Sequence, residues 1–229
     1  MNSIIWKGVS STTINGLLIS ELPPISKPKM RVKETTIDGR DGSIIEDLGY
    51  EPYDKPMIIG LHGNFDINKV IKYFTGEGEV VFSNEPDKVY TAKIVGHIDY
   101  NRLLRYRQAT IPFRVQPFKH KLNEAYKTIR ASGGTVNNEG LENSYPIMDL
   151  TGTGTVIISV NGLEVFTYTF PSGESKVTID SEKEDAYLDD VLKNRNMNGE
   201  FPVLQPGMNT IVWSGNVSSI EILPRSRWL

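Results

Sequence analysis

Apolar and polar residues alternate along much of the chain, a pattern that predicts half-buried β-strands. Two such stretches, residues 32–37 and 43–48, flank the charged segment Asp38-Gly39-Arg40-Asp41-Gly42. Glycine reaches positive φ without a steric penalty and Asp tolerates turn geometry, so this segment predicts a tight Asp-Gly hairpin. Further strands are predicted over residues 56–61, 78–82, 89–100 and 107–116.

One segment of the N-terminal half has a helical period instead. Ile67, Val70, Ile71 and Phe74 lie at i, i+3, i+4 and i+7, so they share one face of a helix. The spacing predicts a single helix at about residues 65–75, which we expect to pack on the sheet.

The composition changes beyond residue 116, where apolar residues become sparse and loop-forming residues accumulate. We place a domain boundary near residue 120, between an N-terminal β domain at 1–120 and a C-terminal domain at 121–229. Predicted strands at 155–160 and 163–170 flank Asn161-Gly162, a strong hairpin signal. Shorter strands at 176–180, 210–213 and 219–223 alternate with turns, one of them at Ser214-Gly215-Asn216. This spacing predicts a β-sandwich, and the chain as a whole is predicted to be mainly β.

Composition and charge exclude several classes of protein. The chain has 229 residues, of which 38% are hydrophobic and 23% charged, as expected for a globular protein. No apolar run approaches the roughly 20 residues of a membrane helix, and the N-terminus lacks the features of a secretory signal. The absence of cysteine excludes disulfides and thiolate chemistry. A net charge of −3 argues against DNA binding as the main function.

No residue set indicates catalysis, a cofactor or a metal. The three histidines, His62, His97 and His120, do not form the helical zinc-binding pattern. Ser26 and Lys29 have Ser-x-x-Lys spacing, but the motifs that accompany it in serine acyl-enzymes are missing. The Gly152-Thr153-Gly154 segment precedes a strand and lacks the rest of a phosphate-binding loop. We therefore predict no catalytic, cofactor-binding or metal-binding residues, and no enzyme.

Several short motifs, most of them with glycine or proline, follow one another in an order that resembles that of a known family. They are Trp6-Lys7-Gly8-Val9-Ser10-Ser11, Glu21-Leu22-Pro23-Pro24-Ile25, Ile37-Asp38-Gly39-Arg40-Asp41-Gly42, Val81-Phe82-Ser83-Asn84-Glu85-Pro86-Asp87, Tyr90-Thr91-Ala92, Phe113-Arg114-Val115-Gln116-Pro117-Phe118, Ser144-Tyr145-Pro146-Ile147, Gly152-Thr153-Gly154, Pro206-Gly207-Met208-Asn209 and Pro224-Arg225-Ser226-Arg227. This layout spans nearly the whole chain and resembles the distal tail protein (Dit) family of long non-contractile-tailed bacteriophages.

The resemblance implies an N-terminal β-barrel-type domain with one α-helix and a C-terminal galectin-like β-sandwich. It also implies a homo-hexameric ring that joins the tail tube protein to the tail-tip or baseplate proteins, with DNA passing through its centre. The protein would then belong to the virion, at the tail tip, after assembly in the bacterial host cytoplasm, with no membrane partner and no cofactor. Within the turn from Asp38 to Gly42, we expect Gly39 and Gly42 to set the backbone shape and Arg40 to make a structural ion pair or a ring contact.

Two alternatives stay open at this point. The C-terminal domain could be a carbohydrate-binding module for a bacterial surface glycan, with Trp213, Trp228 and Tyr187 as candidate stacking residues, although aromatic side chains are more commonly buried. A cell-wall hydrolase component is the third hypothesis, but the sequence offers no catalytic set for it.

Overall fold

The computed structural model describes the chain from Met1 to Leu229. The residues form two compact units, Met1–Leu122 and Asn123–Trp228, and the terminal Leu229 groups with the first. Most of the regular structure is β, so the predicted mainly β class is confirmed. Neither α-helix has the length and apolar character needed to cross a lipid bilayer.

The first unit contains nine strands and two α-helices. The elements are β1 (Ile4–Trp6), β2 (Val9–Ser10), β3 (Leu17–Glu21), β4 (Met30–Thr36), β5 (Ser43–Tyr50), β6 (Tyr53–Leu61), β7 (Glu77–Phe82), β8 (Lys88–Ile94) and β9 (Gln108–Lys121), with α1 (Ile67–Tyr73), α2 (Tyr100–Tyr106) and a 3₁₀ turn at Ser11–Thr13. A curled antiparallel sheet joins seven of the strands in the order β2-β1-β7-β8-β9-β6-β3. Strands β4 and β5 pair only with each other and form a separate two-stranded sheet.

The core of the first unit is built around an aromatic cluster. Phe113 of β9 is fully buried, and its ring meets those of Trp6, Phe82 and Phe74 edge to face, with centroids 5.2, 5.8 and 6.5 Å away. Offset and edge-to-face contacts of this kind add to the hydrophobic stabilisation of the buried rings. Strand alternation places Trp6, Phe82 and Phe113 on the inner face of the sheet, and Phe74 reaches them from the C-terminal end of α1.

The helix predicted at about residues 65–75 is observed as α1. Its N-terminus is capped by the side chain of Asp66, which accepts a hydrogen bond from the backbone N–H of Asn68 at 3.0 Å. Val70 and Tyr73 are buried against the sheet. The amphipathic spacing therefore predicted the helix, but Ile71 of the predicted apolar face is exposed and Tyr73 is buried instead.

The prediction of only one helix was wrong. The strand predicted to run to residue 100 ends at Ile94, and α2 begins six residues later. Asp99 accepts a hydrogen bond from the N–H of Arg102 at 2.8 Å and caps the new helix, and Leu103 is fully buried beneath it. This cap begins the helix at Tyr100, where the alternation of apolar residues had predicted the last position of a strand.

The second unit contains ten strands. They are β10 (Lys127–Ile129), β11 (Gly134–Asn138), β12 (Ile147–Val160), β13 (Leu163–Thr169), β14 (Lys176–Asp180), β15 (Asp185–Leu188), β16 (Val191–Leu192), β17 (Met197–Gly199), β18 (Gly207–Leu223) and β19 (Arg227–Trp228), with a 3₁₀ turn at Asn194–Asn196. The hairpin predicted at Asn161-Gly162 is confirmed, since both residues have the positive φ values of 52° and 83° that a primed turn requires.

Two long strands, β12 and β18, organise the second unit. Their first and second halves have different neighbours: the N-terminal half of β12 pairs with β14, and its C-terminal half pairs with β13. The pairing register between β12 and β18 shifts after Thr151 and again after Thr153. Strands that bend at such irregularities pass from one layer of a sandwich into the other, and the halves enclose a single apolar core.

The turn predicted at Ser214-Gly215-Asn216 was wrong. These residues lie inside β18. Gly215 has a φ of +90°, and its Cα lies so close to the backbone of Thr155 that an added Cβ would be 2.5 Å from the Thr155 carbonyl oxygen. Glycine in a strand often marks a bulge or a close backbone approach, and here it marks both.

Candidate assembly surface

The most unusual surface of the first unit is the two-stranded sheet of β4 and β5, which we call the arm. Nearly all of its residues are exposed, and its strands hydrogen bond only to each other. Five large apolar side chains of the arm and its connecting turn are between 45% and 63% exposed: Val32, Ile37, Ile44, Ile45 and Leu48. An isolated two-stranded hairpin is marginally stable in water, so such an element is expected to gain stability from a partner.

The turn predicted between the two strands is confirmed, although it is longer than a two-residue hairpin turn. Residues 37–42 form the connection, with a hydrogen bond of 3.1 Å from the N–H of Arg40 to the carbonyl of Ile37. Gly39 and Gly42 have φ values of +79° and +80°, the region that glycine reaches without strain. Arg40 is exposed and forms no ion pair within the chain. Of the two roles expected for it, only a contact with another subunit remains a prediction.

The two faces of the arm differ in charge. Cross-strand pairs are Lys33 with Glu46, Glu34 with Ile45, and Val32 with Asp47. Because successive side chains point to opposite faces, Lys33 and Glu46 share one face, where their charged groups are 3.3 Å apart. Val32, Glu34, Ile45 and Asp47 share the other, which we call the acidic face. From residue 32 to residue 47 this face carries two carboxylates and no basic side chain.

The base of the arm is held by contacts within the first unit. The proline-rich connection that enters β4 is held by two side-chain hydrogen bonds, from Lys55 Nζ to the carbonyl of Pro24 at 2.8 Å and from Asn84 Nδ2 to that of Pro23 at 3.0 Å. At the other end, the ring of Tyr50 meets that of Phe118 edge to face, with centroids 5.9 Å apart. The arm is therefore fixed where it leaves the unit, while its length is uncovered.

A buried polar cluster lies behind the proline-rich connection. Glu85 accepts hydrogen bonds of 2.5 Å from both Lys119 Nζ and the hydroxyl of Tyr90, and all three side chains are buried. Lys55 is only 1% exposed, and its ammonium group lies 4.9 Å from the centre of the Tyr90 ring. Burial lowers the pKa of Lys55 to about 8, with Glu85 opposing the change and Lys119 adding to it. Burial and the Glu85 carboxylate raise the pKa of Tyr90.

Sequence patterns did not identify this cluster. Lys55, Glu85 and Lys119 stand far apart in the chain, and a charged residue in a strand is most often solvated. The only local signal is the position of Lys55 in the strand: it shares a face with the buried Met57 and Ile59.

The residues considered for chemistry do not come together. His62 and His97 are exposed, and His120 is partly buried on β9. No group of three or more histidine or acidic side chains is placed to hold a metal ion.

The three candidate stacking residues for a carbohydrate are all partly buried. Trp213 packs against the core of the second unit. Of the three, only Tyr187 lines the groove of about 680 Å³ on the outer face of the strands β12, β14, β15 and β18. The structure does not assemble the predicted stacking residues in this groove.

Comparison with known proteins shows what the chain resembles. Residues 9–115, which include the arm, match the family model described as the phage tail protein RIFT-related domain. No curated protein sequence matches the chain.

A solved structure gives a more particular likeness. The crystal structure of the Dit protein (gp 19.1) of phage SPP1, described as a paradigm of the hub adsorption apparatus in phages that infect Gram-positive bacteria, is similar with a TM-score of 0.75. The match covers 97% of this chain and 97% of that chain, at 15% sequence identity. The chain therefore has the fold of a phage Dit protein, and the resemblance predicted from its sequence is confirmed.

Proposed function

We propose that this chain is a structural subunit of a phage tail tip. Six copies close into a ring through their N-terminal units, the ring joins the tail tube protein to the tail-tip or baseplate proteins, and DNA passes through its centre. The phage tail domain match and the Dit-like fold support this role. The protein performs no reaction in it, assembles in the bacterial host cytoplasm, and resides in the virion without a membrane partner.

The exposed arm is the observation that carries the proposal. Its apolar side chains are about half exposed, and covering each would contribute on the order of 1 kcal/mol. The arm and the body of the unit are different surfaces, so a contact between them in successive copies is head to tail. Head-to-tail contacts generate a closed ring when the rotation between copies closes.

Sedimentation velocity of the purified protein over a range of concentrations tests the proposal. We expect a concentration-dependent species of about six times the 25.7 kDa chain mass. The double variant Val32→Ser/Ile45→Ser removes apolar surface from the arm and should shift this species to the monomer. Leu163→Ser/Val191→Ser removes exposed apolar surface from the second unit and is the matched control. Equal assembly of the two variants would contradict the role of the arm.

The charge of the chain supports passage of DNA rather than its retention. The net charge of −3 provides no basic field that would hold the phosphate backbone. We expect the purified ring to show no measurable retention of duplex DNA at physiological salt. Tight, salt-sensitive binding would contradict a passive channel.

A further inference from the structure

The first unit has a second uncovered surface whose chemistry matches the arm. It is a groove of about 320 Å³ between the β1–β2 hairpin and helix α1. We call it the lysine-rimmed groove, and its lining residues are Trp6, Lys7, Val9, Ile14, Lys69, Lys72 and Tyr73. Trp6 and Tyr73 are buried in its floor, at 1% and 7% exposure, whereas Val9 is 45% exposed. The groove therefore combines an apolar floor with a rim of three ammonium groups.

The rim is positively charged and largely without partners in the chain. Lys69 and Lys72 of α1 are exposed and form no ion pair with any residue of the chain. Lys7 Nζ donates a hydrogen bond to the carbonyl of Thr75 at 3.0 Å, which neutralises no charge. An occupant of this groove should offer apolar side chains to the floor and carboxylates to the rim.

The acidic face of the arm has this composition. Val32 and Ile45 are 49% and 63% exposed, and they are diagonal neighbours across the β4–β5 ladder. Glu34 and Asp47 form the other diagonal of the same four residues, so two apolar and two acidic side chains alternate within one patch. Diagonal neighbours lie within about 8 Å of each other, so the four side chains form one compact patch.

We propose that the acidic face of the arm docks in the lysine-rimmed groove of the next copy of this chain. Val32 and Ile45 cover the apolar floor, and Glu34 and Asp47 face Lys69 and Lys72. Each copy donates one arm and accepts one, so the contact propagates head to tail and can close. This inference rests on the proposed ring and identifies the two surfaces that form it.

Charge reversal tests the pairing. Glu34→Lys/Asp47→Lys and Lys69→Glu/Lys72→Glu should each require at least about tenfold more protein for assembly. An equal mixture of the two variants should assemble as wild type does, because each reversed arm then finds a reversed groove and each native arm a native groove in an alternating ring. The exchange Lys33→Glu/Glu46→Lys reverses an ion pair on the opposite face and should leave assembly unchanged. Variants that assemble normally, or a mixture that is not rescued, would overturn the pairing.

Cross-linking provides a second test, because the chain has no cysteine of its own. Under mild oxidation, the variant Val9→Cys/Ile45→Cys should form a ladder of disulfide-linked multimers. Val9→Cys/Ile44→Cys places the second thiol on the opposite face of the arm and should form none.

The outcomes separate this inference from the proposed function. Wild-type rings without mixture rescue and without the ladder would refute the docking while the ring stands. A wild-type protein that stays monomeric, together with a Val9→Cys/Ile45→Cys variant that forms no ladder, would refute both.

Discussion

The buried ammonium group of Lys55 should make the stability of the first unit rise with pH. Lys55 is 1% exposed, and titratable side chains of Tyr53, Glu85, Tyr90 and Lys119 face it or lie next to it. Burial lowers its pKa to about 8 from its ordinary value of 10.5. Below pH 8 the lysine is protonated in both the folded and the unfolded chain, so the folded state bears the cost of a buried charge.

Above pH 8 the folded protein releases this proton first, while the unfolded chain still binds one. Stability then increases with pH, because the unfolded state holds more protons. The pKa of Lys55 is about 8 in the folded protein and 10.5 in the unfolded chain. This difference should raise the free energy of unfolding by about 2 kcal/mol between pH 7 and pH 9.5. The measurement should stop at pH 9.5. Near pH 10 and above, the raised pKa values of Tyr53 and Tyr90 make stability fall with pH, the opposite of the effect of Lys55.

Urea unfolding at several pH values between 7 and 9.5 measures this effect. A Trp213→Phe/Trp228→Phe background leaves Trp6 as the single tryptophan, so its fluorescence follows the first unit. Lys55→Met in this background should abolish the rise in the free energy of unfolding, whereas Lys127→Met, at an exposed position of the second unit, should preserve it. A flat profile for the parent protein, or the same rise in Lys55→Met, would refute the reasoning.

Two further predictions concern the second unit. Although burial opposes it, the Arg225 guanidinium holds the pKa of Asp180 below its usual range, so this pair should stabilise the unit above about pH 4 and lose its effect at lower pH. Asp180→Asn should therefore lower the free energy of unfolding by about 3 kcal/mol at pH 7 and by much less at pH 3, as urea titrations at the two pH values would reveal. Gly215→Ala should be more destabilising in thermal unfolding than Gly154→Ala, since both have positive φ but only at Gly215 would the new Cβ lie 2.5 Å from a backbone oxygen, that of Thr155. Equal losses at the two glycines would show that the strand relaxes around the added methyl group.

Local signals in the sequence were sufficient to predict the structure of segments whose conformation depends on a few neighbouring residues. The Asn161-Gly162 pair requires two positive φ angles in succession, and few residue pairs other than Asn-Gly adopt them readily. The spacing from Ile67 to Phe74 likewise defines one face of a helix whatever lies beneath it. In both cases the chemistry of the segment itself fixes the conformation.

The sequence did not predict the structure where contacts with distant residues determine the backbone conformation. Gly215 is indistinguishable from a turn glycine until Thr155 is seen to pack against it. The start of α2 depends on the cap by Asp99 and on the burial of Leu103, neither of which interrupts the alternation up to Tyr100.

The arm, too, could be predicted only in part from the sequence. Its two strands and their turn were predictable, but alternation cannot reveal whether a hairpin joins a larger sheet. Both faces of the arm mix apolar and charged side chains: Val32 pairs with Asp47 on the acidic face, and Ile44 lies beside the Lys33–Glu46 pair on the other. That mixture is ambiguous in the sequence and becomes informative only when the strands are seen to have no other partner.

Electron microscopy of assembled phage particles that contain this chain tests the proposed ring most directly. We predict a sixfold ring of this protein at the junction between the tail tube and the tail tip, with an open central channel. Antibody or affinity-tag labelling of the chain in the same particles would assign the density. A junction that contains this chain without a closed ring, or particles in which the label lies elsewhere, would contradict the proposed function.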